Sequence, residues 1–86
     1  MKAIFHGGFR RQYKKLKPGE QNRFEERLRL FVKEPYSPVL RNHALKGPYK
    51  DYYSINITGD LRALYKLVKK DTALFIIIDT HSNLYL

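Results

Sequence analysis

The chain has 86 residues, 43% of them hydrophobic and 14% aromatic, and it carries 17 Lys and Arg against 8 Asp and Glu, for a formal charge of +9. That length points to one domain, residues 1–86, with a compact core, and so many aromatic residues exclude the disordered class. Cysteine is absent, which excludes disulfides and thiolate zinc sites; no stretch has the length of a membrane span and no secretory signal opens the chain, so a cytoplasmic protein with no membrane partner is expected.

Met1–Phe5 is apolar and reads as a strand, and Gly7-Gly8 is expected to break it. From Phe9 to Lys17 the apolar residues Phe9, Tyr13 and Leu16 fall at i, i+4 and i+7, one face of a helix. Arg10, Arg11, Lys14, Lys15 and Lys17 cover the other face. Pro18-Gly19 ends this helix and opens a second, in which Phe24, Leu28 and Phe31 repeat the stripe until Pro35. The two form a helical hairpin.

Residues 34–47 hold two prolines and no clean period, and are expected to be a loop. Residues 49–57 then alternate, with Tyr53, Ile55 and Ile57 against Tyr52, Ser54 and Asn56. Turns at Thr58-Gly59-Asp60 and Lys69-Lys70-Asp71 separate further strands over 61–68 and 73–79. The run from Leu74 to Ile78 is nearly all apolar, so it is placed mid-sheet with both faces buried. The expectation is an α+β fold of order β-α-α-β-β-β, an antiparallel sheet covered on one face by the N-terminal hairpin.

The charge is distributed unevenly. Residues 1–50 hold thirteen basic and four acidic side chains, whereas residues 51–86 hold four of each. A one-sided positive field of this kind attracts phosphate backbones. A solubilising surface or an acidic protein partner would use the same charges, but a nucleic-acid role is the favoured reading.

Phosphate loops, metal-ligand spacings and nucleophile elbows are absent, so neither a cofactor nor a metal is expected. Three histidines remain, at 6, 43 and 81. His6 reads as a strand-end residue. His43 precedes the strand meander, Asp60 sits in its first turn with Arg62 two residues on, and His81 follows the last strand with Tyr85 close behind. Alternation puts Asp60, Arg62 and Leu64 on one side of their strand. Two imidazoles, a carboxylate, a guanidinium and a phenol suit metal-free RNA cleavage: one group takes the 2′-OH proton, the guanidinium holds the phosphate, another protonates the leaving oxygen. Each has a plainer reading too. His43 and His81 could be exposed bystanders, Asp60 a turn residue, and Tyr85 a packing residue.

Three segments carry a resemblance: Asn42-His43-Ala44-Leu45-Lys46-Gly47, the run Ile57 to Tyr65 through Thr58-Gly59-Asp60-Leu61-Arg62, and Asp79-Thr80-His81-Ser82-Asn83-Leu84-Tyr85. In this order they resemble the RelE/ParE toxin superfamily, above all its YafQ branch. The resemblance implies a type II toxin that cuts mRNA in the ribosomal A site and is silenced by a cognate antitoxin. It implies catalytic roles for His43, Asp60, Arg62, His81 and Tyr85, the last stacking on a substrate base. It implies RNA contacts for Lys46 and Asn56, with Arg10, Arg11, Lys14, Lys15 and Lys17 gripping ribosomal RNA. This chain departs from the branch in having Asn56 where a histidine is usual and Leu61 where a tryptophan follows the aspartate. Two alternatives share the fold: a ParE-like gyrase inhibitor that cuts no RNA, and an inactive antitoxin-binding module.

Overall fold

β1 (Lys2–Phe5) runs straight into α1 (Gly7–Lys14), because His6 caps the helix: its Nδ1 accepts the Gly8 N–H at 3.0 Å. That cap satisfies one of the free N–H groups of the first turn. The expected break at Gly7-Gly8 is therefore a helix start. A Cβ on Gly8 would lie 3.3 Å from the same His6 nitrogen, so glycine lets the cap close. α2 (Pro18–Lys33) opens on a proline, and Glu20 turns back to accept the Lys17 N–H at 3.0 Å.

The computed structural model describes residues 1–85. Its sheet adds β2 (His43–Ala44), β3 (Tyr53–Asn56), β4 (Leu61–Lys69) and β5 (Thr72–Thr80), and a short helix, α3 (His81–Leu84), follows. The strand order is β1-β5-β4-β3-β2. β3, β4 and β5 form the expected antiparallel meander. The sheet is nevertheless mixed, for β1 pairs in parallel with β5, Phe5 against Phe75. Beyond Phe5 the edge of β5 passes to α1, where Gln12 Oε1 accepts the Ile78 N–H at 3.1 Å.

The helical pair covers one face of the sheet, as the two apolar stripes imply. Phe9, Phe24 and Phe31 are buried against Ile55, Ile57, Tyr65, Phe75 and Ile78. Phe75 is the hub: its ring centre lies 5.3–6.1 Å from those of Phe5, Phe9, Phe24, Phe31 and Tyr65. The run 74–78 is central but not buried on both sides. Leu74, Ile76 and Ile77 are half-buried, because no helical pair covers the second face. A bulge resets the alternation there. Leu64 faces Ile77 and Tyr65 faces Phe75, so Ile76 is the extra residue. Phe75 and Ile78, three apart, thereby both reach the core.

Residues 34–47 are more ordered than a loop reading implies. Pro38–Leu40 is a 3₁₀ turn with Leu40 fully buried, and β2 follows it. Asn42 ties the segment down: its Nδ2 donates to the Pro35 carbonyl at 2.9 Å, and its Oδ1 accepts from the buried Tyr65 hydroxyl at 2.9 Å. The strand expected from residue 49 starts only at Tyr53. A 3₁₀ turn at Gly47–Tyr49 comes first, with left-handed backbone at Gly47 (φ +65°) and Asp51 (φ +75°).

Two phenols make this fold sensitive to alkali. Burial, then the Glu25 carboxylate that accepts its hydroxyl, pushes Tyr13 from 10.0 up to about 12. Burial also pushes Tyr65 up to about 12, although its bond to Asn42 pulls the other way. Raised values mean that the folded state favours the neutral phenols. Their stabilisation is complete below the unfolded value near 10 and is lost as pH rises through 12. Urea midpoints are expected to hold steady up to pH 10 and fall between 10 and 12, and Tyr65→Phe should flatten that fall.

Candidate active site

Alternation turns every second residue of β3 and β4 away from the helices. The register then sets two rows across that second face: His43, Ser54, Leu64 and Ile77 in one, Asn56, Arg62 and Asp79 in the next. Above them opens a cleft of about 620 Å³, lined by His43, Asn56, Arg62, His81 and Tyr85, and also by Arg41, Asn42, Leu45 and Ser54. Among the described residues no carboxylate lines it. Two guanidiniums and two imidazoles make a basin suited to an anion, and the acid beside Arg62 in register, Asp79, is engaged by the Thr80 N–H and Asn83 Nδ2.

His43 has a defined tautomer. Its Nδ1 lies 2.7 Å from the Arg41 carbonyl oxygen, which can only accept, so Nδ1 carries the proton. In the neutral ring Nε2 is then left with a free lone pair, the form a general base requires. Arg41 presents that carbonyl from a left-handed backbone (φ 48°), an uncommon conformation for a residue with a side chain.

Arg62 is held by the turn before it. Its Nη1 donates to the carbonyls of Thr58 at 3.0 Å and Leu61 at 3.2 Å, and its Nη2 to Gly59 at 3.3 Å. These are neutral partners, so the cationic charge stays available to a ligand. His81 opens α3. Its N–H donates to the Asp60 carbonyl at 2.8 Å, and its ring centre sits 4.7 Å from that of Tyr85. α3 is fastened beneath them: Asp79 Oδ1 accepts from Asn83 Nδ2 at 2.9 Å, and Thr80 Oγ1 accepts the Asn83 N–H at 3.2 Å. The Tyr85 ring also meets Tyr49 edge-on at 6.0 Å and stays 39% exposed.

No protein-family model matches the chain, and no curated protein matches it significantly. Solved structures do match. YafQ from E. coli superposes with a TM-score of 0.79 at 20% identity, over 98% of this chain and 97% of that one. A chain of the toxin–antitoxin complex RelBE2 from Mycobacterium tuberculosis gives 0.76 at 22% identity, over 93% and 96%. A conserved hypothetical protein from Helicobacter pylori gives 0.71 at 27% identity, over 99% of each chain. This is the fold of the RelE/ParE toxins.

On this RelE/ParE fold the residues singled out in the sequence fall into three groups. His43, Asn56, Arg62, His81 and Tyr85 meet at the cleft. Asp60 lies beside it: its carbonyl holds the His81 backbone and its N–H donates to Thr58 Oγ1 at 3.3 Å, but its side chain is not part of the cleft lining. Lys46 is exposed and outside the lining, as are Arg10, Arg11, Lys14, Lys15 and Lys17 along the hairpin, of which Arg11 and Lys15 border a separate groove with Ile76 and Ile77 at the edge of β5. Arg10 rests 5.9 Å over the Phe5 ring.

Four lining residues were not singled out as site residues. Leu45 and Asn42 stand inside the quoted Asn42–Gly47 segment, and Ser54 shares the Asn56 side of its strand, so alternation could have found it. Arg41 had no such signal, because its place depends on a backbone conformation that no local pattern encodes.

Proposed function

We propose that this protein is the toxin of a type II toxin–antitoxin system and that it acts as an endoribonuclease on mRNA in the ribosomal A site. The observation that carries this reading is the order across the sheet. His43 on β2 and His81 after β5 stand on either side of Arg62 on β4, around one cationic cleft. That is the layout of a base and an acid flanking a phosphate clamp.

His43 Nε2 takes the proton of a ribose 2′-OH. The 2′-oxygen attacks the adjacent phosphorus as the bond to the 5′-oxygen breaks. Arg62 donates to the phosphate oxygens as charge builds on them, and His81, as imidazolium, returns a proton to the departing 5′-oxygen. The products are a 2′,3′-cyclic phosphate and a 5′-hydroxyl, and the scheme uses side chains alone. Tyr85, half-exposed beside His81, stacks on a base next to the cleaved linkage. Asn56, an amide, holds a phosphate and moves no proton.

The exposed cations of the hairpin, Arg10, Arg11, Lys14, Lys15 and Lys17, and Lys46 near the cleft anchor the protein on ribosomal RNA. A positive domain of this kind suits an acidic or amphipathic antitoxin segment; the M. tuberculosis neighbour was itself solved as a toxin–antitoxin complex. The site of action is the cytoplasm.

The test maps 5′ ends on ribosome-bound mRNA after addition of wild type or His81→Ala. Wild type should produce discrete new ends, and His81→Ala should produce them about 10²- to 10⁴-fold more slowly. Cleavage by His81→Ala at the wild-type rate would overturn the assignment. Inhibition of gyrase supercoiling without any RNA cleavage would favour the ParE-like alternative.

A further inference from the structure

The floor of the cleft holds a polar atom that the fold leaves without a use. Ser54 is 0% exposed, and its Oγ is the buried side-chain polar atom that lacks a hydrogen-bond partner among the described residues. An unsatisfied buried hydroxyl weakens a fold, so its presence calls for a reason. A plain apolar or small residue would fill the same space on β3, where Leu64 lies opposite.

Its location supplies the reason. Ser54 is paired in register with His43 on one side and stands two residues before Asn56, which is paired with Arg62. It therefore lies on the strand between those that bear His43 and Arg62, and it lines the same cleft. The lining brings Arg41 and Arg62 to the cleft and, among the described residues, no acid, so a ligand oxygen seated there is an anionic acceptor. A serine hydroxyl meets an anionic acceptor as a donor.

We propose that Ser54 is a substrate-positioning residue whose hydroxyl donates a hydrogen bond to one non-bridging oxygen of the phosphate at the cleaved linkage. This rests on the endoribonuclease reading above and adds a third donor to Asn56 and Arg62. The hydroxyl is fully buried at the cleft floor, so a small shift of the side chains over it, made as the phosphate enters, brings the two into contact without first stripping water from the hydroxyl. Stability is given up in the free protein for a contact made only with substrate.

The experiment compares wild type and Ser54→Ala in two assays. One is thermal unfolding. The other is single-turnover cleavage on programmed ribosomes, using mRNA with either configuration of a single phosphorothioate at the cleaved linkage. Ser54→Ala should unfold at or above the wild-type temperature yet cleave unmodified mRNA about tenfold more slowly, the worth of one hydrogen bond to a charged group. One phosphorothioate configuration should slow wild type and leave Ser54→Ala unaffected. A lower unfolding temperature would show that the hydroxyl has a structural partner and would overturn the proposal. So would cleavage of unmodified mRNA within about twofold of wild type, or equal thio effects in both proteins. If wild type itself cuts no mRNA, the endoribonuclease reading fails and takes this inference with it, an outcome distinct from failure at Ser54 alone.

Discussion

Replacing His43 with alanine is expected to slow mRNA cleavage on the ribosome by about 10²- to 10³-fold, the usual contribution of a positioned general base. The fold should survive this change. His43 is exposed, its strand pairing is made by backbone, and the side chain gives up only its bond to the Arg41 carbonyl. The urea midpoint of His43→Ala should thus match wild type while the single-turnover rate collapses. A rate within about threefold of wild type would remove His43 from the chemistry. The Nδ1 proton held by Arg41 makes a second check available: nitrogen NMR of the neutral ring should report a proton on Nδ1 and none on Nε2.

Phe75→Ala should act on stability alone, and severely. Truncating a buried phenylalanine costs about 3–5 kcal/mol, against a total of about 5–15 kcal/mol for a domain. Phe75 stands at the upper end of that range, because five aromatic rings from β1, α1, α2 and β4 converge on it. Removing it opens a cavity that neither the sheet nor the hairpin can close by itself. The variant is expected to be largely unfolded at 37 °C by circular dichroism. Val68→Ala, at an exposed position of β4, should unfold as wild type does.

The legible parts of this fold are those set by local chemistry. Phe9 and the Phe24–Phe31 stripe announced two helices with one buried face each, and period-two alternation placed Ile55 and Ile57 in the core and Ser54 and Asn56 opposite. The same alternation, carried through the register, brings Asn56 beside Arg62 at the cleft. What stayed hidden depends on partners distant in sequence. Nothing within Lys2–Phe5 says that it will lie parallel to β5, and the extra residue at Ile76 is a property of a strand pair. The helical start at Gly7-Gly8 needed the His6 ring as a cap, and α3 needed the Asp79–Asn83 bond. Of the site residues, Asp60 shows where alternation ends: it lies in the turn, where backbone geometry decides which way a side chain faces.

The parallel pairing of β1 with β5 also has a consequence in time. Residues 2–5 emerge from a ribosome early, but their strand partners are residues 72–75, and Phe75, which the hairpin needs for its core, arrives with them. A nascent chain made only as far as residue 70 has both helices yet lacks the strand that joins β1 to the meander and the segment that bears His81. Because domains fold as units, neither the sheet nor the cleft can close while synthesis is still short of β5. A chain with this topology has no formed site until the ribosome has made β5 and α3.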